Sequence, residues 1–333
     1  MRRTTAKAVR GQRGPALKLS VIIPIYDEVE NVDEMHAALQ LALTAYDYEL
    51  ILVDDGSTDG TAARLEALAA KDPEHTCVVE FRRNFGQTAA IAAGIDYAVG
   101  DVIVLIDADL QEDPADIPML VEKIREGYDV VSGWRKERKD AFLTRTLPSR
   151  LANALISRVT GVALHDYGCT LKAYRREVLE GFRLYGEMHR FIPAYAGGVG
   201  ARIVEVPVTH RPRLRGKAKY GLERTFKVIL DLFTVKFLVS YANKPIYLFG
   251  GLGILLDLAS LVVLIVLGVR RVLYNEHLVR SPLLQMVVML FILGMQSIML
   301  GLIAELLART YHESQAKLTY TIRRVINRPG PQA

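Results

Sequence analysis

Val102-Ile-Val-Leu-Ile-Asp-Ala-Asp109 joins five consecutive apolar residues to two carboxylates one residue apart. A run this short and this apolar reads as a strand buried on both faces, which puts the Asp pair where the strand ends. The pattern recurs on either side. Leu19–Ile25, Glu49–Val53, Cys77–Phe81 and Asp129–Ser132 are further strand candidates. Between them, Val32–Ala45, Thr61–Ala70, Thr88–Val99 and Ala115–Glu126 carry helical periodicity. The alternation predicts an α/β domain with a mostly parallel sheet and helices on both faces. Ligands in such sheets bind beyond the carboxyl ends of the strands. Pro24-Ile-Tyr26-Asp27-Glu28, Asp54-Asp55-Gly56-Ser57, Arg82-Arg83-Asn84 and Asp107-Ala-Asp109 each follow a strand, so polar groups from four segments converge on one rim.

Carboxylates at i and i+2 on a strand end can turn toward one hard cation. Mg²⁺ and Mn²⁺ take oxygen ligands and share them with substrate phosphates. Gln111, two residues further, can add an amide oxygen. The competing reading of an Asp pair is a solvated strand end. Asp54-Asp55-Gly56-Ser57-Thr58-Asp59 suits turn formation and helix capping, while Asp54 or Asp55 can also accept hydrogen bonds from a nucleotide base or ribose. No GxGxxG follows the first strand and no GxxxxGK[ST] occurs, so neither a dinucleotide fold nor a P-loop is indicated. Cys77 and Cys169 stand far apart, which fits a reducing compartment and argues against a thiolate metal site.

The net charge of +5 is too small a bias to mark a partner, and no nucleic acid is expected. Composition changes near residue 245. Ile246–Val269 contains one charge, Asp257, and Leu283–Ala304 contains none. At about 1.5 Å per residue, each is long enough to cross a hydrocarbon core of about 30 Å. The short linker makes them a hairpin over 245–309, with both ends on the side of the large domain. Flanking Arg224, Lys227, Lys236 and Lys244, and Arg309, Lys317, Arg323, Arg324 and Arg328, put that side in the cytosol. Residues 222–244 read as an amphipathic helix lying in the membrane interface among its lipids, with packing against the soluble domain as the alternative. Residues 1–17 and 310–333 read as basic tails, the first disordered, both cytosolic. Asp257 is costly at mid-span unless paired, and Gln296 lies at nearly matching depth.

With these motifs in hand a resemblance emerges. Val21-Ile-Ile-Pro24-Ile-Tyr26-Asp27-Glu28, Val53-Asp-Asp-Gly-Ser-Thr-Asp-Gly60 and Asp107-Ala-Asp109 resemble glycosyltransferase family 2, whose members share the GT-A fold and invert the anomeric carbon. Arg83-Asn-Phe-Gly86, Asp107-Ala-Asp-Leu-Gln-Glu-Asp-Pro114, Asp166-Tyr-Gly-Cys-Thr-Leu-Lys172 and Gly216-Lys-Ala-Lys219-Tyr-Gly221 are similar to its polyprenyl-phosphate glycosyltransferases. These include dolichol-phosphate mannose synthases and bacterial undecaprenyl-phosphate glucosyl- and aminoarabinosyl-type transferases. The resemblance spans roughly residues 18–309, with a catalytic domain over 18–221. Ala218 stands where the family often has Ser.

The resemblance implies a nucleotide-sugar donor, a polyprenyl phosphate acceptor, and homo-oligomers up to a tetramer. It implies Pro24, Tyr26, Glu28, Asp54 or Asp55, and Asp107 around the nucleotide, with Asp107, Asp109 and Gln111 holding Mg²⁺ or Mn²⁺. Asp166 becomes a positioning or base candidate; its competing role is capping the turn before Gly168. Two anionic substrates call for cations. Arg135 follows a strand on the right rim, and Arg150 opens an apparent helix at Ser149–Val159, where charge and helix N-terminus suit phosphate together. Lys219 is a further phosphate candidate, whereas Arg211 and Arg215 read as solvated. His189, Arg190 and His210 can line the site, although lone histidines are more often structural.

The expected reaction is inverting transfer of one sugar, with a UDP-sugar favoured and glucose first. A GDP-mannose donor is the alternative. A processive polysaccharide synthase would carry Q-x-x-R-W, which is absent, the single tryptophan being Trp134. A non-catalytic nucleotide-binding membrane scaffold is the remaining alternative, and the intact Asp107, Asp109 and Gln111 speak against it.

Overall fold

The computed structural model describes residues 17–136, 153–154, 156–158, 160–180, 184, 188–211, 246–274, 282–314 and 320–328. The basic arm before residue 17, Arg150, Lys219 and the interface helix expected over 222–244 lie outside the described residues. The chain divides into two compact units, Met1–Asp231 with Leu318–Ala333, and Leu232–Lys317.

The first unit is built on strands β1 (Lys18–Ile25), β2 (Asp47–Asp54), β3 (Thr76–Phe81), β4 (Val102–Leu105), β5 (Val130–Trp134), β6 (Lys172–Arg175), β7 (Ile203–Pro207) and β8 (Ile322–Ile326). Helices α1 (Val32–Leu43), α2 (Thr61–Lys71), α3 (Gln87–Tyr97) and α4 (Ile117–Arg125) connect the first five. The sheet order is β7-β5-β6-β4-β1-β2-β3-β8. Pairings of β1 with β2 and β4, β2 with β3, and β5 with β7 are parallel. Those of β4 and β5 with β6, and of β3 with β8, are antiparallel. The central strands are buried on both faces, as their unbroken apolar runs require; Leu19, Val21, Ile23, Leu50, Val102 and Val104 are inaccessible to solvent.

Two features of this sheet position the site. The parallel strands end at one edge of the sheet: β1 and β2 finish level, Ile25 beside Asp54, and β4 stops three residues earlier, Leu105 beside Ile22. Because β6 runs antiparallel to β4, its first residue, Lys172, pairs with Leu105 at the last turn of β4. The segment leading into β6 is thereby delivered to the same rim.

The expectation of a basic C-terminal tail over 310–333 is corrected. Ile322–Ile326 forms an edge strand, and the preceding Pro282–Ser314 is helical. The physical reason is charge pairing with acids far away in sequence. Glu80 of β3 and Glu49 of β2 are buried. Arg323 Nη1 lies 3.2 Å from Glu80, Arg324 pairs with Glu80 and Glu66, and Arg328 pairs with Glu49. A buried carboxylate without a cation would be costly, so these arginines have a structural task.

The second unit contains α5 (Ile246–Tyr274) and α6 (Pro282–Ser314), both longer than the sequence pattern suggests. Phe249–Leu273 and Pro282–Ala304 have mean hydropathies of 2.7 and 2.4 and are long and apolar enough to cross a membrane. Their large side chains face outward, Leu255 at 63 % and Met289 at 62 % exposed, the opposite of a soluble core helix. The helices pack antiparallel: Ser260 Oγ donates to the Val287 carbonyl at 2.9 Å and Ser297 Oγ to the Phe249 carbonyl at 2.7 Å. Asp257 lies against Gly294, its Cγ 2.6 Å from where a Cβ would stand. Gln296 is exposed instead, about 200° further around the helix at 3.6 residues per turn, so the Asp257–Gln296 pair expected from depth does not form within one chain. Gly294 and Gly253 let the backbones approach; a Cβ on Gly253 would fall 2.6 Å from the Gly294 carbonyl oxygen. Gly294→Leu is expected to destabilise this helix pair by about 1–3 kcal/mol through overpacking. A lowered unfolding temperature in detergent, absent for Leu293→Ala on the exposed face, checks it.

Candidate active site

The rim encloses a cavity of about 450 Å³. One wall comes from the ends of β1 and β2: Pro24, Tyr26, Glu28 and Asp55 line it. Asp55 closes the loop after β3, accepting from the Phe85 amide at 2.7 Å and the Gly86 amide at 2.9 Å. Burial raises its pKa to about 6, against the lowering effect of those two amides. Asp54 is buried and accepts from the Ser57 amide at 3.1 Å, so the sequence's two-way choice divides: Asp54 caps the turn and Asp55 faces the cavity. Gly56 makes this turn at φ +73°, and a Cβ there would lie 2.7 Å from Arg83 Cα and Asn84 N. Gly56→Ala is expected to cost about 1–3 kcal/mol through strain at a positive φ. The checks are thermal unfolding and a weakened nucleotide affinity.

The floor is the end of β4. Asp107, Asp109 and Gln111 all line the cavity. Leu110 between them has φ +58°, a left-handed conformation that a leucine adopts only where its surroundings enforce it. Asp107 is held from both sides, accepting from Gln87 Nε2 and from Thr170 Oγ1, each at 2.8 Å. Asp109 accepts from the Gln111 amide at 3.1 Å. Burial, and then the charge of Asp109, raises the Asp107 pKa. Two carboxylates forced together in this way suit a divalent cation. Among the described residues no three His, Cys, Asp or Glu side chains form a complete metal site. A set of two carboxylates and an amide therefore fits a cation whose remaining ligands are substrate phosphate oxygens and water, the habit of Mg²⁺.

The opposite wall carries the cations. Arg135, Lys172 and Arg190 line the cavity. Arg135 forms a bidentate pair with Asp166, Nε to Oδ2 at 2.7 Å and Nη2 to Oδ1 at 3.0 Å, and lies 3.9 Å from Glu112. Burial works against the Arg135 charge, but the Asp166 hydrogen bonds and charge outweigh it and raise its pKa. Asp166 is buried, holds Arg135 through this pair and also accepts from the Gly168 amide at 3.1 Å, the turn-capping bond expected as its competing role. Glu112 is buried as well; burial, reinforced by Asp107, raises its pKa. Lys172 Nζ donates to the carbonyls of Tyr167, at 3.2 Å, and Cys169. Burial lowers its pKa. His189 is buried with Nδ1 2.7 Å from Thr88 Oγ1, and burial followed by Arg190 holds the imidazole neutral. It fastens the Met188–Phe191 turn that presents Arg190. Arg211 pairs with Asp113, and its amide donates to the Gln111 carbonyl at 2.8 Å.

Motif spacing alone assigns no role to Gln87, Thr170, Lys172 or Glu112, although all four stand within or beside the motifs. For two of them the signal is the antiparallel β6, whose approach brings Thr170 to Asp107 and Lys172 to the cavity wall.

Comparison with known proteins agrees with this geometry. The family described as Glycosyl transferase family 2 matches residues 20–182. A dodecaprenyl-phosphate galacturonate synthase of Rhizobium johnstonii is 43 % identical over 331 residues, 97 % of this chain and 98 % of that protein. An undecaprenyl-phosphate 4-deoxy-4-formamido-L-arabinose transferase of Klebsiella pneumoniae is 37 % identical over 318 residues, 95 % of each. Among solved structures, glucosyl-3-phosphoglycerate synthase from Mycobacterium tuberculosis in complex with Mn²⁺ and UDP-glucose shares the fold. Its TM-score is 0.52 at 19 % identity, covering 66 % of this chain and 79 % of that one. The catalytic unit thus has a GT-A-like α/β fold. The chain belongs to glycosyltransferase family 2 and is a glycosyltransferase.

Proposed function

We propose that this enzyme transfers a single sugar, with inversion, from a nucleoside diphosphate sugar to a polyprenyl phosphate at the cytosolic face of a membrane. The observation that carries this reading is the cavity itself: a carboxylate floor between a nucleotide-side wall with Asp55 and a cationic wall with Arg135, Lys172 and Arg190. Full-length similarity to polyprenyl-phosphate transferases supports the acceptor. Glucose, the sugar favoured from motifs, gives way to galacturonic acid as the leading candidate, since the 43 % identical relative is named for galacturonate. UDP remains the favoured nucleotide.

In this reading Tyr26, Glu28 and Asp55 bind the nucleoside, while Asp107, Asp109 and Gln111 hold Mg²⁺ or Mn²⁺. The cation supplies Lewis-acid neutralisation of the diphosphate leaving group. The acceptor phosphate needs little help from a base: its second pKa near 6 leaves it largely ionised at neutral pH, so an oxygen can attack the anomeric carbon directly. Asp166 then serves by fixing Arg135 through Nε and Nη2, which leaves the Nη1 edge of the guanidinium for a phosphate oxygen. Arg150 and Lys219 are proposed as additional phosphate ligands.

Connectivity supports the orientation. The chain leaves the sheet after β7 and rejoins it at β8, and α5 and α6 lie between. Two membrane crossings would return it to its starting side, and the basic residues flanking the helix pair favour the cytosol as that side.

The test offers purified enzyme undecaprenyl phosphate, Mn²⁺ and labelled UDP-galacturonic acid, UDP-glucose, UDP-4-deoxy-4-formamido-L-arabinose or GDP-mannose. Label in the lipid fraction from UDP-galacturonic acid above the others supports the reading. Preference for another donor overturns the choice of sugar, and no labelled lipid from any donor overturns the reaction.

A further inference from the structure

Tyr320 is not among the residues that line the cavity, yet it touches both supports of the loop that closes on Asp55. It enters just before β8. Its ring stacks on Phe81, the last residue of β3, with centroids 5.0 Å apart and planes at 14°. Phe81 meets Phe85 edge-on at 5.7 Å and 88°. The Phe85 ring carries the Arg83 guanidinium at 4.1 Å, and the Phe85 amide donates to Asp55. On its other side the Tyr320 hydroxyl donates to Asp96 Oδ2 at 2.7 Å, near the end of α3, the helix that begins with Gln87. The backbone adds a third tie, since the Arg82 amide donates to the Thr321 carbonyl at 3.1 Å after an irregularity between Glu80 and Phe81. Tyr320 itself is 5 % exposed.

These contacts form one aromatic column, Tyr320–Phe81–Phe85, that runs from the returning strand to the loop holding Asp55. A parallel route runs through α3 to Gln87, and thence to Asp107. We propose that Tyr320 is a positioning residue for the donor nucleotide: the strand that returns after the apolar helix pair sets the Arg82–Gly86 loop on which nucleotide affinity depends. This rests on the reading of the Asp55 wall as the nucleotide side.

The measurement is UDP and GDP binding to the full-length protein in detergent with Mn²⁺, by equilibrium dialysis. Tyr320→Leu, which keeps the site filled but removes the stack, should weaken nucleotide binding about three- to tenfold, the range set by an aromatic pair. Tyr320→Phe keeps the ring and loses the hydroxyl; it should restore most of the affinity. In turnover, the donor KM should rise for Tyr320→Leu, with kcat and the acceptor KM within about twofold of the parent enzyme. Arg324→Gln provides the control for a merely weakened edge strand: it should lower the unfolding temperature and leave nucleotide affinity unchanged. Unchanged affinity in a folded Tyr320→Leu overturns the inference alone. So does an equal loss in Arg324→Gln, which would make the effect one of general stability. Failure of the parent protein to bind either nucleotide overturns the donor-site reading and this inference with it.

Discussion

Asp107→Asn is expected to reduce kcat about 10²–10³-fold, the scale on which removal of one group stabilising transition-state charge is felt. The variant is nearly isosteric, and its amide can still meet one of the two donors, Gln87 Nε2 and Thr170 Oγ1, that hold the native side chain. What it loses is a negative charge beside Asp109 on the cavity floor. Asp109→Asn should behave alike. Because the two carboxylates would share one cation, the double variant should be little worse than either single one, as for groups that act as a unit. Raised Mn²⁺ should partly restore each single variant. A folded Asp107→Asn enzyme with kcat within about threefold of the parent, and no change in metal requirement, would remove the metal role.

The second large effect is expected at Arg135 and Asp166. Their side chains are 13 % and 4 % exposed, and removal of one partner leaves the other charged and buried. Arg135→Met also strips Glu112 of its neighbouring cation. Breaking a buried pair costs about 3–5 kcal/mol, so Arg135→Met and Asp166→Asn should each lower the unfolding temperature clearly. In turnover each should lose about 100-fold in kcat/KM, the size of loss that follows misplacement of a positioned group. The double variant should not multiply these losses, because Asp166 acts through Arg135. Arg135→Lys should rescue poorly, since an ammonium lacks the planar fork. Should Asp166→Asn abolish kcat while Arg135 variants retain it, Asp166 would be a base in its own right.

The sequence is most readable where burial is uniform. β1 to β5 are apolar runs, α1 to α4 are periodic, and the connections are short, so local pattern alone places the strand ends and their carboxylates on one rim. It is opaque where charged strands find distant partners. Lys172-Ala-Tyr-Arg175 and Ile322-Arg-Arg-Val-Ile326 look too polar for strands; Lys172 is met by carbonyls after Asp166, Arg175 by Asp129 and the Ile124 carbonyl, and Arg323 and Arg324 by Glu80, which local pattern does not reveal. The same blindness hides part of the site. Asp107, Asp109, Gln111 and Asp55 follow from parallel-strand logic, whereas Thr170 and Lys172 reach the rim because β6 runs the other way. Asp257 is a third case: matching depth suggests Gln296 as its partner, but helical phase turns Gln296 outward and leaves Gly294 facing the carboxylate.

In the proposed reaction the Asp107–Asp109 floor serves a metal–diphosphate donor facing a lipid phosphate. Purified full-length enzyme incubated with undecaprenyl phosphate and labelled UDP-galacturonic acid tests it most directly, with lipid-extracted label followed under EDTA and then excess Mn²⁺. Labelled lipid is expected that EDTA abolishes, Mn²⁺ restores and Asp107→Asn fails to make at more than about 1 % of the parent rate. Labelled lipid formed equally well under EDTA, or by Asp107→Asn, would contradict it.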